Sequence, residues 1–236
     1  MEHSKLFSTF AAIYQKAMKK EQIISFVAGL LTALSANAQC KYCNTYEDFL
    51  NGRWQDIDTV YCDQHSKGRQ FWWGGNDYTL STGNKTLDKK IKKDAFIVMQ
   101  ADTMYLNCRN LRYEDTRFGN GYTKTMRIGE RSLLFVNRMI GREALTNQAM
   151  ASFMFGALGS ALTYNSQMKK QVCYVISWGA DARGHISIRL INDALMDQMI
   201  ANHNDLHDEY YSEENTNKRL QATHVVPILE KAGLFN

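Results

Sequence analysis

Apolar and polar residues alternate along the middle of the chain, as is typical of half-buried β-strands. Two apolar runs, 96–100 and 103–107, flank a two-residue turn and predict a β-hairpin. The runs 172–177 and 185–190, joined by a glycine-containing loop, predict a second one. The strand-like segments outside these hairpins are 59–62 and 132–136. These patterns predict a body rich in antiparallel strands.

The apolar period changes near the C-terminus from that of a strand to that of a helix. We expect Asp193 to cap a helix, residues 205–217 to form an exposed helical stretch, and residues 218–232 to form a last helix ended by Gly233. One short helix is predicted earlier, over residues 46–50. The predicted fold class is therefore α+β, with an antiparallel, strand-rich body that contains hairpins and with helices segregated to the C-terminus.

The N-terminal segment has the three-part pattern of a secretory signal peptide. Lys19 and Lys20 precede an apolar run at residues 23–34, and Ala36 and Ala38 supply the small residues of a cleavage site. The run is shorter than the roughly 20 residues that a membrane-spanning helix needs. We expect residues 1–38 to be a signal peptide cleaved after Ala38, and the secreted or periplasmic product, residues 39–236, to be a single α+β domain.

The position of the signal suggests where translation starts. Met18 heads a signal peptide of more usual length than Met1 does, so residues 1–17 are interpreted as an over-long gene start. A buried amphipathic helix is the alternative interpretation of the apolar run. A lipid anchor is not expected, because Gln39 separates the cleavage site from Cys40.

Composition and charge narrow the classes of protein. Hydrophobic residues make up 44% of the chain and charged residues 22%, which indicates a globular core rather than global disorder. The formal net charge is only +4, so we expect no nucleic-acid partner.

Four segments carry a resemblance to a known family. They are YEDFLNG (46–52), FWWGGNDY (71–78), YLNCRNL (105–111) and EKAGLF (230–235). On these residues the chain resembles an uncharacterised family of secreted proteins, a domain of unknown function, from Bacteroides-type gut bacteria, and the tryptophan segment is the most specific part. The resemblance implies export and a Gram-negative envelope, and it supplies no catalytic residues.

One spacing of cysteines and a histidine has the form of a zinc site. Cys40-x2-Cys43 and Cys62-x2-His65 offer the two short-spaced pairs of a Cys3His centre. Against zinc, Cys40 lies two residues from the expected new N-terminus, where chains fray. Two disulfides, or ordinary buried thiols, are the alternatives for an exported protein, and no other cofactor is expected.

The tryptophan segment is a candidate ligand site. Successive strand residues point to opposite faces, so one of Trp72 and Trp73 should point away from the core. An outward indole beside Asn76 and Asp77 would suit the flat apolar face of a sugar. The alternative is that both indoles are packing residues.

A second candidate is the uncharged run of residues 149–162. It is too short to span a bilayer as a helix. If exposed, it would form a membrane or partner contact through Phe153, Phe155 and Leu158. If buried, it is a helix or hairpin that packs on the sheet.

No catalytic motif is present in the sequence. It lacks a Gly-x-Ser-x-Gly elbow and a phosphate-binding loop. The function therefore stays unknown at this level. The favoured interpretation is a non-enzymatic secreted or periplasmic protein with a binding or interaction role. An envelope hydrolase and a peripheral membrane protein that uses residues 149–162 are the alternatives.

Overall fold

The predicted alternation of apolar and polar residues corresponds to one large antiparallel sheet. The computed structural model describes residues 40–66, 76–141, 171–178 and 186–235. Its strands are β1 (Cys40–Cys43), β2 (Gln55–Ile57), β3 (Tyr61–Gln64), β4 (Tyr78–Ser81), β5 (Ile97–Gln100), β6 (Thr103–Asn107), β7 (Arg112–Tyr113), β8 (Thr116–Arg117), β9 (Tyr122–Ile128), β10 (Ser132–Arg138), β11 (Gln171–Trp178) and β12 (Ile186–Leu190).

Ten of these strands belong to the main sheet, and β7 and β8 form a separate two-stranded ribbon. The order across the main sheet is β12-β11-β10-β9-β6-β5-β1-β2. The β3–β4 hairpin joins at β9 through the pair Tyr78 and Tyr122. Every strand pair is antiparallel.

Both predicted hairpins are confirmed. Strands β5 and β6 pair directly, with Ile97 opposite Leu106, and the turn between them places Ala101 at a φ of 50°. Strands β11 and β12 also pair, with Tyr174 opposite Leu190. The predicted strand at 132–136 is β10, and the one at 59–62 is β3, which begins at Tyr61.

The helices also follow the predicted distribution, with four of them after the last strand. They are α1 (Tyr46–Leu50), α2 (Lys85–Asp94), α3 (Asp193–Met199), α4 (Asn204–Tyr211), α5 (Thr216–Arg219) and α6 (Ala222–Lys231), and a 3-10 turn spans Cys108–Asn110. The α+β class with C-terminal helices is thereby confirmed.

The start of α3 differs by one residue from the prediction. Its N-cap is Asn192, whose side-chain oxygen accepts a hydrogen bond from the backbone N–H of Leu195. Asp193 is the first helical residue, and its carboxylate binds other helices instead, as described below.

Helix α2 was not predicted, because only two of its residues belong to an apolar stripe. Ile91 is buried, Leu87 is half-buried, and the other eight residues are polar. Its local signal is at the N-cap, where the Asn84 side chain accepts hydrogen bonds from the backbone N–H groups of Thr86 and Leu87.

The main sheet has one apolar core on one face and two on the other, because alternate residues of each strand face opposite sides. One face contributes Leu106, Leu133, Phe135 and Tyr174 to the central core, which α1 also joins through Phe49. On the opposite face, helices α3–α6 cover one end of the sheet, and α2 with the β3–β4 hairpin covers the other.

Candidate functional site

A cleft of about 380 Å³ opens where the end of β1, the end of α2 and the 3-10 turn meet. Its volume lies within the usual range for small-molecule sites. Eleven residues line it: Asn44, Thr45, Tyr46, Glu47, Asp94, Ala95, Phe96, Asn107, Asn110, Leu111 and Ile186.

Backbone hydrogen bonds bring the walls of the cleft together. The N–H of Phe96 donates to the carbonyl of Cys43 at 2.8 Å, and the N–H of Asn107 donates to the carbonyl of Phe96 at 2.9 Å. The residues after β1 therefore lie beside the start of β5 and the end of β6. Neighbouring strands of one sheet position the site.

The first wall is the β1–α1 connection, which a capping box holds in place. Thr45 Oγ1 accepts a hydrogen bond from the backbone N–H of Asp48, and the Asp48 carboxylate accepts one from the N–H of Thr45. Arg53 also donates to Asp48, and these hydrogen bonds lower the pKa of the Asp48 carboxyl. Because the turn is fixed at both ends, Asn44 is presented to the cleft in a defined position.

The second wall is the C-terminal end of α2, which Asn107 caps. Its Nδ2 donates to the backbone carbonyls of Ile91, Lys92 and Ala95 at 3.2, 3.2 and 2.9 Å. Asn110 Nδ2 adds a hydrogen bond to the carbonyl of Lys93 at 3.1 Å. Carbonyls at a helix end have no partner within the helix, so these two asparagines keep the end of α2 ordered.

The floor of the cleft is apolar. Tyr46 and Phe96 are buried and meet edge to face, with ring centroids 5.7 Å apart, and Leu111 is buried beside them. The phenolic hydroxyl of Tyr46 donates to the backbone carbonyl of Arg131. The aromatic rings thus supply apolar contact area, and the polar groups of the cleft come from the rim.

One polar atom of the cleft lacks a partner. Asn44 Oδ1 is buried and accepts no hydrogen bond from any described residue. A buried, unsatisfied acceptor costs about 1–3 kcal/mol, so such atoms are rare and call for an explanation. Asn44 itself lines the cleft, so a rotation of its side chain that turns Oδ1 towards a ligand donor in the cleft would satisfy it.

The charged side chains that line the cleft are acidic. Glu47 and Asp94 are the two residues among its lining side chains that are charged at neutral pH, and the C-terminal end of α2 adds a partial negative charge. Arg53 donates to Glu47 Oε1 at 3.0 Å on the outer side, where both side chains are more than half exposed. The cleft therefore favours a neutral or cationic ligand that is rich in hydrogen-bond donors.

The predicted ligand residues 72, 73, 76 and 77 are only partly described. Trp72 and Trp73 lie outside the described residues. Asn76 is 5% exposed and is engaged internally: Nδ2 donates to the carbonyls of Phe118 and Asn120, and Oδ1 accepts from Asn137. Asp77 accepts a hydrogen bond from Thr123 Oγ1 at 3.0 Å. These two side chains support the sheet, and a sugar site at the tryptophans stays a prediction.

The four residues of the predicted zinc spacing are not brought together. Cys40 and Cys43 are three positions apart in one strand, so they enter different cores on opposite faces of the sheet. Cys62 is exposed, and His65 contacts the carbonyl of Asn76 and Thr79 Oγ1 at 2.7 and 2.6 Å. Within the described ranges, no group of three or more His, Cys, Asp or Glu residues is arranged to hold a metal ion.

All five cysteines are free thiols, which fits the alternative of ordinary buried thiols better than that of two disulfides. Burial raises the pKa of Cys43 and of Cys173 to about 12, and it raises the pKa of Cys108 as well. These thiols are therefore protonated and unreactive at neutral pH.

The predicted contact residues Phe153, Phe155 and Leu158 lie outside the described residues, as do residues 1–38. Among the helices that are described, none is long and apolar enough to cross a membrane. Membrane contact through residues 149–162 stays a prediction.

The sequence did not identify the cleft, because its polar residues come from segments that are far apart in the chain and contain no motif. One signal was available. Two of the four segments that carry the family resemblance, 46–52 and 105–111, supply five of the lining residues: Tyr46, Glu47, Asn107, Asn110 and Leu111.

Comparison with known proteins shows the family but no activity. The chain belongs to a family of unknown function, DUF6563, whose model matches residues 41–236. No curated protein and no solved structure matches it. The match confirms the expectation of a domain of unknown function over nearly all of the predicted mature chain.

Proposed function

We propose that this protein is exported, to act in the periplasm or as a secreted protein, and that it binds a small donor-rich ligand in the cleft. The signal-like order of charge, apolar run and small residues in 1–38 supports export. The family match begins at residue 41, and the first described strand begins at Cys40, just after the expected cleavage site. The resemblance to an exported family from Bacteroides-type bacteria is consistent with both observations.

The observation that carries the binding proposal is the unpartnered Oδ1 of Asn44. The other fixed polar groups at the rim are already satisfied, since Asn107 and Asn110 bind the end of α2. Asn44 is different because it lines the cleft and its buried acceptor receives no donor from the described residues. A ligand hydroxyl or ammonium group supplies that donor.

The chemical class of the ligand follows from the lining. Amide and carboxylate oxygens at the rim accept from hydroxyl and amino groups, and the Tyr46–Phe96 floor suits an apolar ring face. The two carboxylates favour a positive charge on the ligand. An amino sugar combines all three features within the size of the cleft.

Binding is favoured over the envelope-hydrolase alternative by the exposure of the carboxylates. General acid–base catalysis needs a group held within hydrogen-bond reach of the proton that it transfers. Glu47 is paired with Arg53 at the surface, and Asp94 is exposed. Neither carboxylate is enclosed at a reaction centre, so the lining favours binding.

Isothermal titration calorimetry tests the proposal, with glucosamine, glucose and N-acetylglucosamine as the probe ligands. We expect glucosamine to bind most tightly, because its protonated amine interacts with Asp94 and Glu47. Asn44→Ala should weaken the binding of glucosamine about 10-fold, in line with the loss of a hydrogen bond to a charged group. Asn202→Ala, at an exposed asparagine that does not line the cleft, is the matched control. Absence of binding for all three probes, or equal losses in the two variants, would contradict the proposal.

Export has its own test. N-terminal sequencing of the protein recovered from a Gram-negative host should give Gln39 as the first residue. Replacing Ala36 and Ala38 by Asp should leave the precursor uncleaved, because the peptidase cleft accepts only small side chains. Recovery of the intact chain from the cytosol would refute export.

A further inference from the structure

The outer face of α2 is made of lysine. Leu87 and Ile91 turn inward to the core that α2 covers. At 3.6 residues per turn, the five exposed lysines fan over an arc of about 160° on the opposite side. These lysines are Lys85, Lys89, Lys90, Lys92 and Lys93.

The acidic residues of α2 do not neutralise this face. Asp88 turns to the N-terminal end, where its Oδ1 accepts a hydrogen bond from Thr82 Oγ1 at 2.8 Å. Asp94 lies at the C-terminal end and lines the cleft. Among the described residues, none of the five lysines forms an ion pair, and Lys90 instead contacts Gln55 and the ring of Tyr42.

An exposed aromatic ring lies at the N-terminal end of this helix. The Tyr61 side chain belongs to β3 and is 61% exposed, more than any other large hydrophobic residue in the described ranges. Its ring lies beside Gly83, two residues before α2 begins: a Cβ at Gly83 would be 3.8 Å from Tyr61 Cε2. Tyrosine is enriched at membrane interfaces because its ring is apolar and its hydroxyl is polar.

We propose that the lysine face of α2, together with Tyr61, docks the protein on an anionic lipid bilayer. Five ammonium groups that form no ion pair with a described residue complement negatively charged headgroups, and the tyrosine ring enters the interface next to them. The outward side of a single helix fits a broad surface better than a single extended polyanion, which binds in grooves with stacking platforms. This surface is separate from residues 149–162, and its function does not depend on a ligand in the cleft.

Vesicle flotation with the purified protein tests the proposal. The probes are vesicles of phosphatidylcholine alone and vesicles with equal parts of phosphatidylcholine and phosphatidylglycerol. We expect flotation only with the anionic vesicles, and release at high salt. Reversing three charges by Lys85→Glu, Lys89→Glu and Lys92→Glu should lower the apparent affinity more than about 100-fold, since the loss of each lysine near such a surface costs about 5-fold and the new glutamates add repulsion.

A control variant separates this face from net charge. Arg112→Glu, Arg117→Glu and Lys218→Glu make the same change in net charge at exposed positions outside α2, and they should lower the affinity far less. Changing the same three lysines to Gln checks that repulsion by the new glutamates is not the cause, and Tyr61→Ser should weaken binding with no change in charge. Circular dichroism should show that all variants are folded.

Three results would overturn the proposal: equal binding to neutral vesicles, no binding to anionic ones, or equal losses in the lysine and control variants. Tighter binding to a soluble sulfated polysaccharide than to anionic vesicles would reject lipid as the occupant. Flotation that survives in the Asn44→Ala variant keeps this inference distinct from the ligand proposal.

Discussion

Arg219 binds both carboxylate oxygens of Asp193, with Nε 3.0 Å from Oδ1 and Nη2 2.6 Å from Oδ2. The Arg219 side chain is 10% exposed, and Tyr210 donates a third hydrogen bond to Oδ1 of Asp193 at 2.8 Å. One carboxylate therefore ties the start of α3 to α4 and α5. This network joins three of the four helices that cover one end of the sheet.

Removing the arginine should destabilise the fold. Arg219→Met leaves the Asp193 carboxylate without its bidentate partner, and we expect the free energy of unfolding to fall by about 2 kcal/mol, the scale of a charged hydrogen bond. Urea denaturation measures this change. The control is Lys231→Met, which breaks an exposed ion pair with Glu209 and should cost less than about 1 kcal/mol. Equal costs in the two variants would mean that the Asp193 pair is no stronger than a surface pair.

The same pair predicts a dependence of stability on pH. Hydrogen bonds from Arg219 hold the pKa of Asp193 below its ordinary value of 3.8. The stabilisation is complete above the unfolded-state pKa and is lost as the pH falls through the lower folded-state pKa. We expect Asp193→Asn to be less stable than the natural protein at neutral pH, and the difference to shrink below about pH 4. Thermal melts across this range measure it, and a constant difference would contradict the prediction.

Asn107 should be important for the order of α2. Asn107→Ala removes the donor to three backbone carbonyls at a buried position, and we expect a loss of about 2–3 kcal/mol in the free energy of unfolding. Faster amide exchange in α2 should accompany it. Asn110→Ala is the control. It removes a single hydrogen bond, which is exposed, so the free energy of unfolding should fall by less than about 1 kcal/mol. Unchanged exchange in α2 would show that the cap is dispensable.

Thiol reactivity should distinguish one cysteine from the rest. Cys62 is exposed and the other four are buried, so a disulfide reagent such as DTNB should react quickly with one thiol of the native protein. Cys62→Ser should abolish the fast phase, and urea should release the remaining thiols. A fast reaction of two thiols in the native protein would contradict the assignment of Cys62 as the one exposed cysteine. Detection of fewer than five thiols after unfolding without a reducing agent would contradict the assignment of all five cysteines as free thiols.

Local patterns predicted the elements that are regular and separately amphipathic. The β5–β6 and β11–β12 hairpins follow from alternation around short connections, and α6 follows from its helical stripe and the glycine that ends it. Strand β9 was missed because Lys124 and Arg127 interrupt its apolar side chains, although it pairs with β6, β10 and β4 near the centre of the sheet. Strand β9 is central because of the strands that it pairs with, and the alternation of apolar and polar residues along its own sequence does not encode those partners.

The zinc spacing shows what spacing alone does not determine. Two cysteines three residues apart are close in sequence, but in an extended strand they point to opposite sides. Once Cys40–Cys43 pairs with both β2 and β5, Cys40 and Cys43 face different cores.

The order of apolar and polar residues by itself determined the α+β class, the hairpins and the C-terminal helices, because each depends on neighbours within about ten residues. Only the tertiary structure decided the cleft and the lysine face. Asn44 and Asn107 meet because hydrogen bonds join β1, β5 and β6. The lysines form one outward surface because Ile91, near the middle of their helix, is buried against the sheet.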